Sequence, residues 1–200
     1  YFLFALYIFC AQNLFAQFQG NVYEPFQDAN VTQYGNVIRS PWCGGINSVQ
    51  VNHADLNNDG KNDIILYDFN NDFIKTFINT GNAGEIKYTY DPKYEKNFPA
   101  ISYYMLLKDY NCDNIPDLFE KGLYGVSVHK GYYQNNELKF TFFKDLFFSS
   151  QNGPVNVYVQ PSDVPAIIDI DNDGDLDILS YDVIGAQLSF YRNRRVEDGL

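Results

Sequence analysis

An acidic nine-residue pattern occurs three times in this chain, at residues 55–63, 109–117 and 169–177, which we name loops one, two and three. In every copy an oxygen-bearing side chain stands at positions 1, 3, 5 and 9, and Gly or Asn stands at position 6. A tightly wound loop with this spacing directs those oxygens, and the backbone carbonyl of position 7, at one hard cation. The sequence therefore predicts a repeated calcium loop with two to three sites, in which loop two is the weakest or is empty.

Each loop supplies four ligating side chains and one backbone carbonyl. Oxygen ligands without His or Cys select calcium over transition metals, and a crowded acidic loop suits calcium better than the strict octahedron of magnesium. The predicted ligands are Asp55, Asn57, Asp59, Lys61 (carbonyl) and Asp63 in loop one, Asp109, Asn111, Asp113, Ile115 (carbonyl) and Asp117 in loop two, and Asp169, Asp171, Asp173, Asp175 (carbonyl) and Asp177 in loop three.

The three loops differ in ways that predict an order of affinity. Loop three has Asp171 at position 3, where loop one has the neutral Asn57. Loop two has Asn114 in place of the turn Gly, which costs more in the left-handed conformation, and it contains Pro116. Because ligand charge and loop geometry set calcium affinity, we expect loop three to bind most tightly, then loop one, then loop two.

Two other interpretations compete with a repeated calcium loop. An EF-hand needs flanking helices and a Glu at position 12, but that position is Leu66 in loop one and Ser180 in loop three. Loop two has Glu120 there, yet its flanks are strand-like. Alternatively, the loops are hairpin turns whose Asn and Asp side chains bond their own backbone. Three copies with acid at positions 1, 5 and 9 favour calcium over turn chemistry alone.

The identity between repeats extends beyond the loops, which predicts the fold. Residues 55–68 and 169–182 match at eight of fourteen positions, and loop starts at 55, 109 and 169 give spacings of 54 and 60 residues. A repeat of this length with three or four short strands, such as 86–90 or 138–143, is typical of a propeller blade. We predict an all-β protein, a β-propeller, with lead-in strands at 18–50 and blades at 51–100, 101–165 and 166–200. Three blades are too few to close a ring, so we expect the protein to continue beyond Leu200.

The first residues predict export. Residues 1–17 are uncharged and strongly apolar, as in a secretory signal peptide that has lost its start, and the run is too short for a stable membrane span. An extracellular or outer-surface location follows.

In such an oxidising location, Cys43 and Cys112 can form a disulfide. The alternative is that Cys112, at position 4 of loop two, is a small buried thiol that faces away from the metal.

Composition excludes several functions. The net charge is −11 and no basic stripe exists, so nucleic acid is not an expected partner. His53 and His129 are the only histidines, and the sequence contains no metalloprotease, Gly-x-Ser-x-Gly or phosphate-loop motif. We therefore expect no enzyme activity. A glycosidase pair among Glu95, Glu137 and Asp145 is the alternative, although solvated loops explain these acids equally well.

The pattern Asp-x-Asn/Asp-x-Asp-Gly-x-x-Asp-Ile/Leu, repeated at this interval, resembles the FG-GAP/VCBS repeats of integrin-α-like propellers, over about residues 40 to 200. More narrowly, residues 41–47, 107–113 and 163–169 resemble exported Bacteroidota proteins of this class. The resemblance implies a seven-bladed propeller with calcium in hairpin loops and a later C-terminal sorting domain for type IX secretion. Cys43, and the missing Gly of loop two, depart from the family pattern.

These expectations combine into one function. We expect a secreted or cell-surface calcium-binding propeller that acts as a binding or adhesion scaffold for an unknown protein or glycan ligand, with the calcium structural. The alternatives are an extracellular carbohydrate-active enzyme and a spacer module, whose active part lies outside these 200 residues.

Overall fold

A computed structural model describes residues 29–38, 40–196 and 198–199, so the predicted signal peptide at 1–17 lies outside the described residues. The chain divides into two compact units, Tyr1–Trp42 and Cys43–Leu200. The described part of the first unit contains one hairpin. Its strands are β1 (Thr32–Gln33) and β2 (Asn36–Val37).

The second unit is all-β and consists of antiparallel sheets whose strands pair in chain order, and among the described residues no sheet closes on itself. Sheet one is β3 (Val49–Ala54), β4 (Asp63–Asp68), β5 (Phe73–Asn79) and β6 (Tyr88–Tyr90); sheet two is β7 (Met105–Lys108), β8 (Asp117–Lys121), β9 (Val126–Gln134) and β10 (Glu137–Asp145); sheet three is β13 (Ala166–Ile168), β14 (Asp177–Tyr181) and β15 (Leu188–Tyr191). Between sheets two and three along the chain lies a hairpin of β11 (Phe147–Ser150) and β12 (Gly153–Asn156).

The described part of the chain contains one short 3₁₀ helix, Pro92–Asn97, after sheet one. Asp91 caps it, because its side chain accepts a hydrogen bond from the backbone N–H of Lys93. Among the described residues, no helix has the length and apolar character that crossing a bilayer requires.

Each predicted calcium loop connects the first strand of a sheet to the second. Loop one joins β3 to β4, loop two joins β7 to β8, and loop three joins β13 to β14. A strand therefore precedes each loop, and of these strands the sequence predicted only the strand-like flank before loop two. The strand predicted at 86–90 is shorter, at Tyr88–Tyr90, and the strand predicted at 138–143 lies inside β10.

Sheet two is packed on both faces because the side chains of β8 alternate between them. Leu118 contributes to a core shared with sheet one, whereas Phe119 contributes to a core shared with sheet three. Ile65 and Tyr67 of sheet one are fully buried in the first core, and Ile178 of sheet three is buried in the second. Three consecutive sheets are therefore stacked, and their loops all follow the first strand.

A buried side chain, Asn52 of β3, fixes sheet one to sheet two. Its Nδ2 donates to the Met105 carbonyl at 3.0 Å, and its Oδ1 accepts from the Leu107 N–H at 2.9 Å. Gln50 adds a third bond, since its Oε1 accepts from the Met105 N–H at 2.8 Å. β7 is an edge strand, so these amides satisfy backbone groups that no neighbouring strand pairs.

Replacing this amide tests its role. We expect Asn52→Ala to lower the free energy of unfolding by about 2 kcal/mol, because it leaves the Met105 carbonyl and the Leu107 N–H buried without partners. His53→Ala is the matched control, since His53 is the next residue of β3 and is exposed. Urea unfolding followed by circular dichroism measures both variants. Equal midpoints for the two would contradict the assignment.

Candidate metal centre

The loops share a backbone winding with two left-handed residues. Positions 4 and 6 have positive φ in every loop. The pairs are Asn58 (57°) and Gly60 (81°), Cys112 (63°) and Asn114 (65°), and Asn172 (62°) and Gly174 (97°). Asn114 thus adopts the conformation that Gly adopts in the other loops, and the expected cost of that substitution does not change the winding.

The carboxylate at position 1 of each loop accepts hydrogen bonds from two backbone N–H groups of the same loop. Both oxygens of Asp55 accept hydrogen bonds, from the N–H of Asp59 at 3.0 Å and of Gly60 at 2.7 Å. Asp109 and Asp169 make the equivalent pair of bonds in loops two and three. The turn interpretation predicts these bonds too, so they do not by themselves distinguish a metal loop from a turn.

Position 9 of each loop is a buried carboxylate that joins three segments of a sheet. Asp63 lies at the start of β4, and its oxygens accept from the N–H of Leu56 at 2.8 Å and of Asn79 at 2.7 Å. Burial raises the pKa of the Asp63 carboxyl, while the two backbone donors oppose that rise. Burial likewise raises the pKa of Asp117.

The same junction is repeated in the other sheets. Asp117 accepts from Tyr110 and Gly131 at 2.9 and 2.8 Å, and Asp177 accepts from Ile170 and Asn193 at 3.1 and 2.8 Å. The alignment of Asn79 with Asn193 was visible in the sequence, whereas Gly131 is identified only by the fold.

Loop three brings its carboxylates together. One oxygen from each of Asp169, Asp171 and Asp177 lies within 4.8 Å of the others. In loops one and two, position 3 is Asn, and its Nδ2 donates to the position 5 carboxylate, at 3.2 Å for Asn57 to Asp59. Asp171 has no such donor. Correspondingly, Asp173 Oδ2 is buried and accepts no hydrogen bond from the described residues.

This donor set fits a calcium ion. One oxygen from each of three carboxylates converges, an oxygen of a fourth acid in the same loop, Asp173, is buried without a hydrogen-bond donor, and no nitrogen or sulfur ligand is included. A divalent cation would satisfy the Asp173 oxygen and offset the repulsion among the acids. Asp169, Asp171, Asp173 and Asp177 would hold it, together with the carbonyl of Asp175.

Cys43 and Cys112 are free thiols, so the disulfide interpretation is wrong for this structure. The buried-thiol alternative is wrong as well, because Cys112 is exposed. Its Sγ lies 3.9 Å from the Gly174 carbonyl oxygen, and the Arg195 guanidinium donates to it at 3.3 Å. Loops two and three are therefore in contact.

Glu120, at position 12 of loop two, belongs to a different pair. Its Oε1 lies 2.7 Å from Nε2 of His129, across β8 and β9, and both side chains are largely buried. The sequence offered no signal for this pair. Two of the acids considered for glycoside hydrolysis also have partners, since Glu137 pairs with Lys93 at 2.7 Å and Asp145 accepts from the Ser127 hydroxyl.

Comparison with known proteins gives no relative: neither family models, nor curated proteins, nor solved structures match this chain.

The left-handed glycine of loop three provides a stability test. A Cβ added to Gly174 would meet no atom within 4 Å, so Gly174→Ala tests the backbone conformation alone. At φ +97°, we expect it to lower the free energy of unfolding by about 1–2 kcal/mol in chelator. Gly44→Ala is the control, because Gly44 has equal space and no positive φ. An equal loss in both variants would show that φ is not the cause.

Proposed function

We propose that this chain is part of an exported calcium-binding β-propeller of the FG-GAP/VCBS type, seven-bladed when complete, which serves as a binding or adhesion scaffold. The observation that carries the proposal is loop three, where the oxygens of Asp169, Asp171 and Asp177 converge and the buried Asp173 Oδ2 accepts no hydrogen bond from the described residues.

The packing of the sheets supports the propeller. Two sheets have four antiparallel strands in chain order, as blades do, and sheet two packs apolar side chains against a sheet on each face. Each loop joins the first two strands of its sheet, and loop two contacts loop three. Export and type IX sorting rest on the apolar first residues and on the family resemblance alone.

The calcium is structural in this proposal. The position 9 carboxylate already ties its loop to two strands, and a cation bound to the same loop would hold the remaining acids in place. We favour a scaffold over an enzyme because two of the three candidate glycosidase acids, Glu137 and Asp145, have structural partners.

A calcium titration with one substitution tests the proposal. Bound calcium should raise the melting temperature, with about 2.7 kcal/mol of stabilisation when free calcium is a hundred times Kd. Asp173→Asn should remove most of the loop three contribution. In chelator the same variant should be at least as stable as the parent, because it removes a buried carboxylate oxygen that has no donor.

Asp163→Asn is the control, since it removes one negative charge outside the loops. It should keep the full calcium response. A melting temperature that chelator does not change would overturn the calcium proposal. If Asp173→Asn instead destabilises the chelated protein and leaves the calcium response intact, Asp173 is a turn residue and loop three is not the metal site.

A further inference from the structure

A group of exposed apolar side chains lies at the end of sheets two and three that is opposite loops two and three. Each loop joins the first strand of its sheet to the second, whereas the β8–β9 and β14–β15 turns join the second strand to the third. Leu123 and Tyr124 of the β8–β9 turn are 84% and 61% exposed, and Val183 and Ile184 of the β14–β15 turn are 67% and 85% exposed. Together with Tyr158, these four residues form a surface that we name the apolar rim.

The short segment between β12 and β13 holds the two turns side by side. The Val126 N–H, at the end of the β8–β9 turn, donates to the Val157 carbonyl at 3.0 Å. The Gln160 side chain donates to the Asp182 carbonyl of the β14–β15 turn at 3.4 Å. Tyr158 lies between these two anchors, and it is exposed while both of its neighbours in the chain are buried. The rim is therefore one surface and not two isolated turns.

Charged side chains are few in this surface. The two turns, residues 121–125 and 182–187, contain only Lys121 and Asp182. The Lys121 ammonium lies over the ring of Tyr103, 5.1 Å from its centroid. The acids of loops two and three lie at the other end of the same sheets. These sheets are therefore apolar at one end and strongly acidic at the other.

The β14–β15 turn satisfies its own backbone donors. Asp182 Oδ1 accepts from the N–H of Ala186 at 2.8 Å and of Gln187 at 3.3 Å, and these bonds hold the pKa of its carboxyl below the usual value. The Gly185 N–H donates to the Asp182 carbonyl at 2.9 Å, and the Asp182 N–H donates to the Gln187 carbonyl at 2.8 Å. Because these donors already have partners inside the turn, its tip can leave water without losing hydrogen bonds.

A lipid bilayer fits this surface better than a folded protein does. Side chains that protrude singly from turns need a matching cavity in a protein partner, whereas the interface of a bilayer is fluid and accepts them. Aliphatic side chains with tyrosines and one lysine beside them also match the change in polarity between acyl chains and headgroups. The net charge of −11 opposes binding to an anionic surface, so the matching lipid is zwitterionic.

We propose that the apolar rim inserts Leu123, Val183 and Ile184 into the surface of a zwitterionic bilayer, with loops two and three directed away from it. The inference goes beyond the proposed function and does not depend on calcium binding. It gives a cell-surface scaffold a contact with lipid that leaves its acidic loops in solvent.

A tryptophan placed in the rim tests this contact. The apolar residues 1–17 can themselves bind lipid in the full chain, so the measurement must report on the rim alone. In Ile184→Trp, phosphatidylcholine vesicles should shift the fluorescence to shorter wavelength, and brominated phosphatidylcholine should quench it, in calcium and in chelator. Ile86→Trp is the matched control, because Ile86 is 92% exposed in the β5–β6 connection, at the loop end of sheet one. It should show neither effect.

A second substitution measures the strength of the contact. Leu123→Ser, added to Ile184→Trp, should raise the lipid concentration at half-maximal quenching about tenfold, the size expected for one aliphatic side chain that stays in water. Its melting temperature should be unchanged, because Leu123 is exposed. High salt should not weaken the parent contact, since the contact is apolar.

Equal quenching of Ile184→Trp and Ile86→Trp, or quenching of neither, would overturn the proposal. Tighter binding to phosphatidylglycerol vesicles than to phosphatidylcholine would also contradict it. If the Ile184→Trp emission instead shifts with protein concentration in the absence of vesicles, the rim is an interface between copies of this chain and the lipid assignment is wrong. These results are independent of the calcium titration, so the failure of either proposal leaves the other standing.

Discussion

The rest of the unit depends on the buried carboxylate at position 9 of each loop. Asp63 accepts from the second residue of its own loop and from the last residue of β5, so one side chain fixes the loop, β4 and β5 relative to one another. An ionised carboxylate that accepts two backbone amides makes strong bonds and satisfies donors that the strand ladder leaves unpaired. The loop geometry and the start of the second strand thus have a common cause.

Repetition of this junction places the three loops equivalently, but their chemistry has diverged. An Asn at position 3 donates to the position 5 carboxylate in loops one and two, so these loops satisfy their own acids. In loop three, position 3 is Asp171, which cannot donate a hydrogen bond and carries a negative charge. Arg192, directly after β15, forms an ion pair with this carboxylate. A one-residue difference therefore separates loops whose acids are bonded by their own Asn from a loop whose added acid pairs with an arginine outside it.

The sequence predicted the local features well and the long-range ones poorly. The loops and the strands after them follow from short spacings, and the structure confirms an all-β chain. Of the strands before the loops, the sequence analysis expected only the strand-like flank that becomes β7, and it did not identify β3 and β13. The Arg192–Asp171 and His129–Glu120 pairs were also missed, because each joins residues that only strand pairing brings together. The thiol of Cys112 was expected to be paired or buried, whereas the structure exposes it.

The Asn52 amide has a mechanical consequence for the stack. Apolar surfaces attract without regard to direction, so the cores alone define the relative position of two sheets less specifically than hydrogen bonds do. Hydrogen bonds are directional, and Asn52 makes two of them to β7, at Met105 and Leu107, with one residue between them. A force along β3 must break both of these bonds, and the bond from the Met105 N–H to Gln50, before sheet one shifts against sheet two. The Asn52 side chain therefore resists sliding of sheet one against sheet two along the strand direction. Bending of the stack is opposed by the apolar contacts between the sheets.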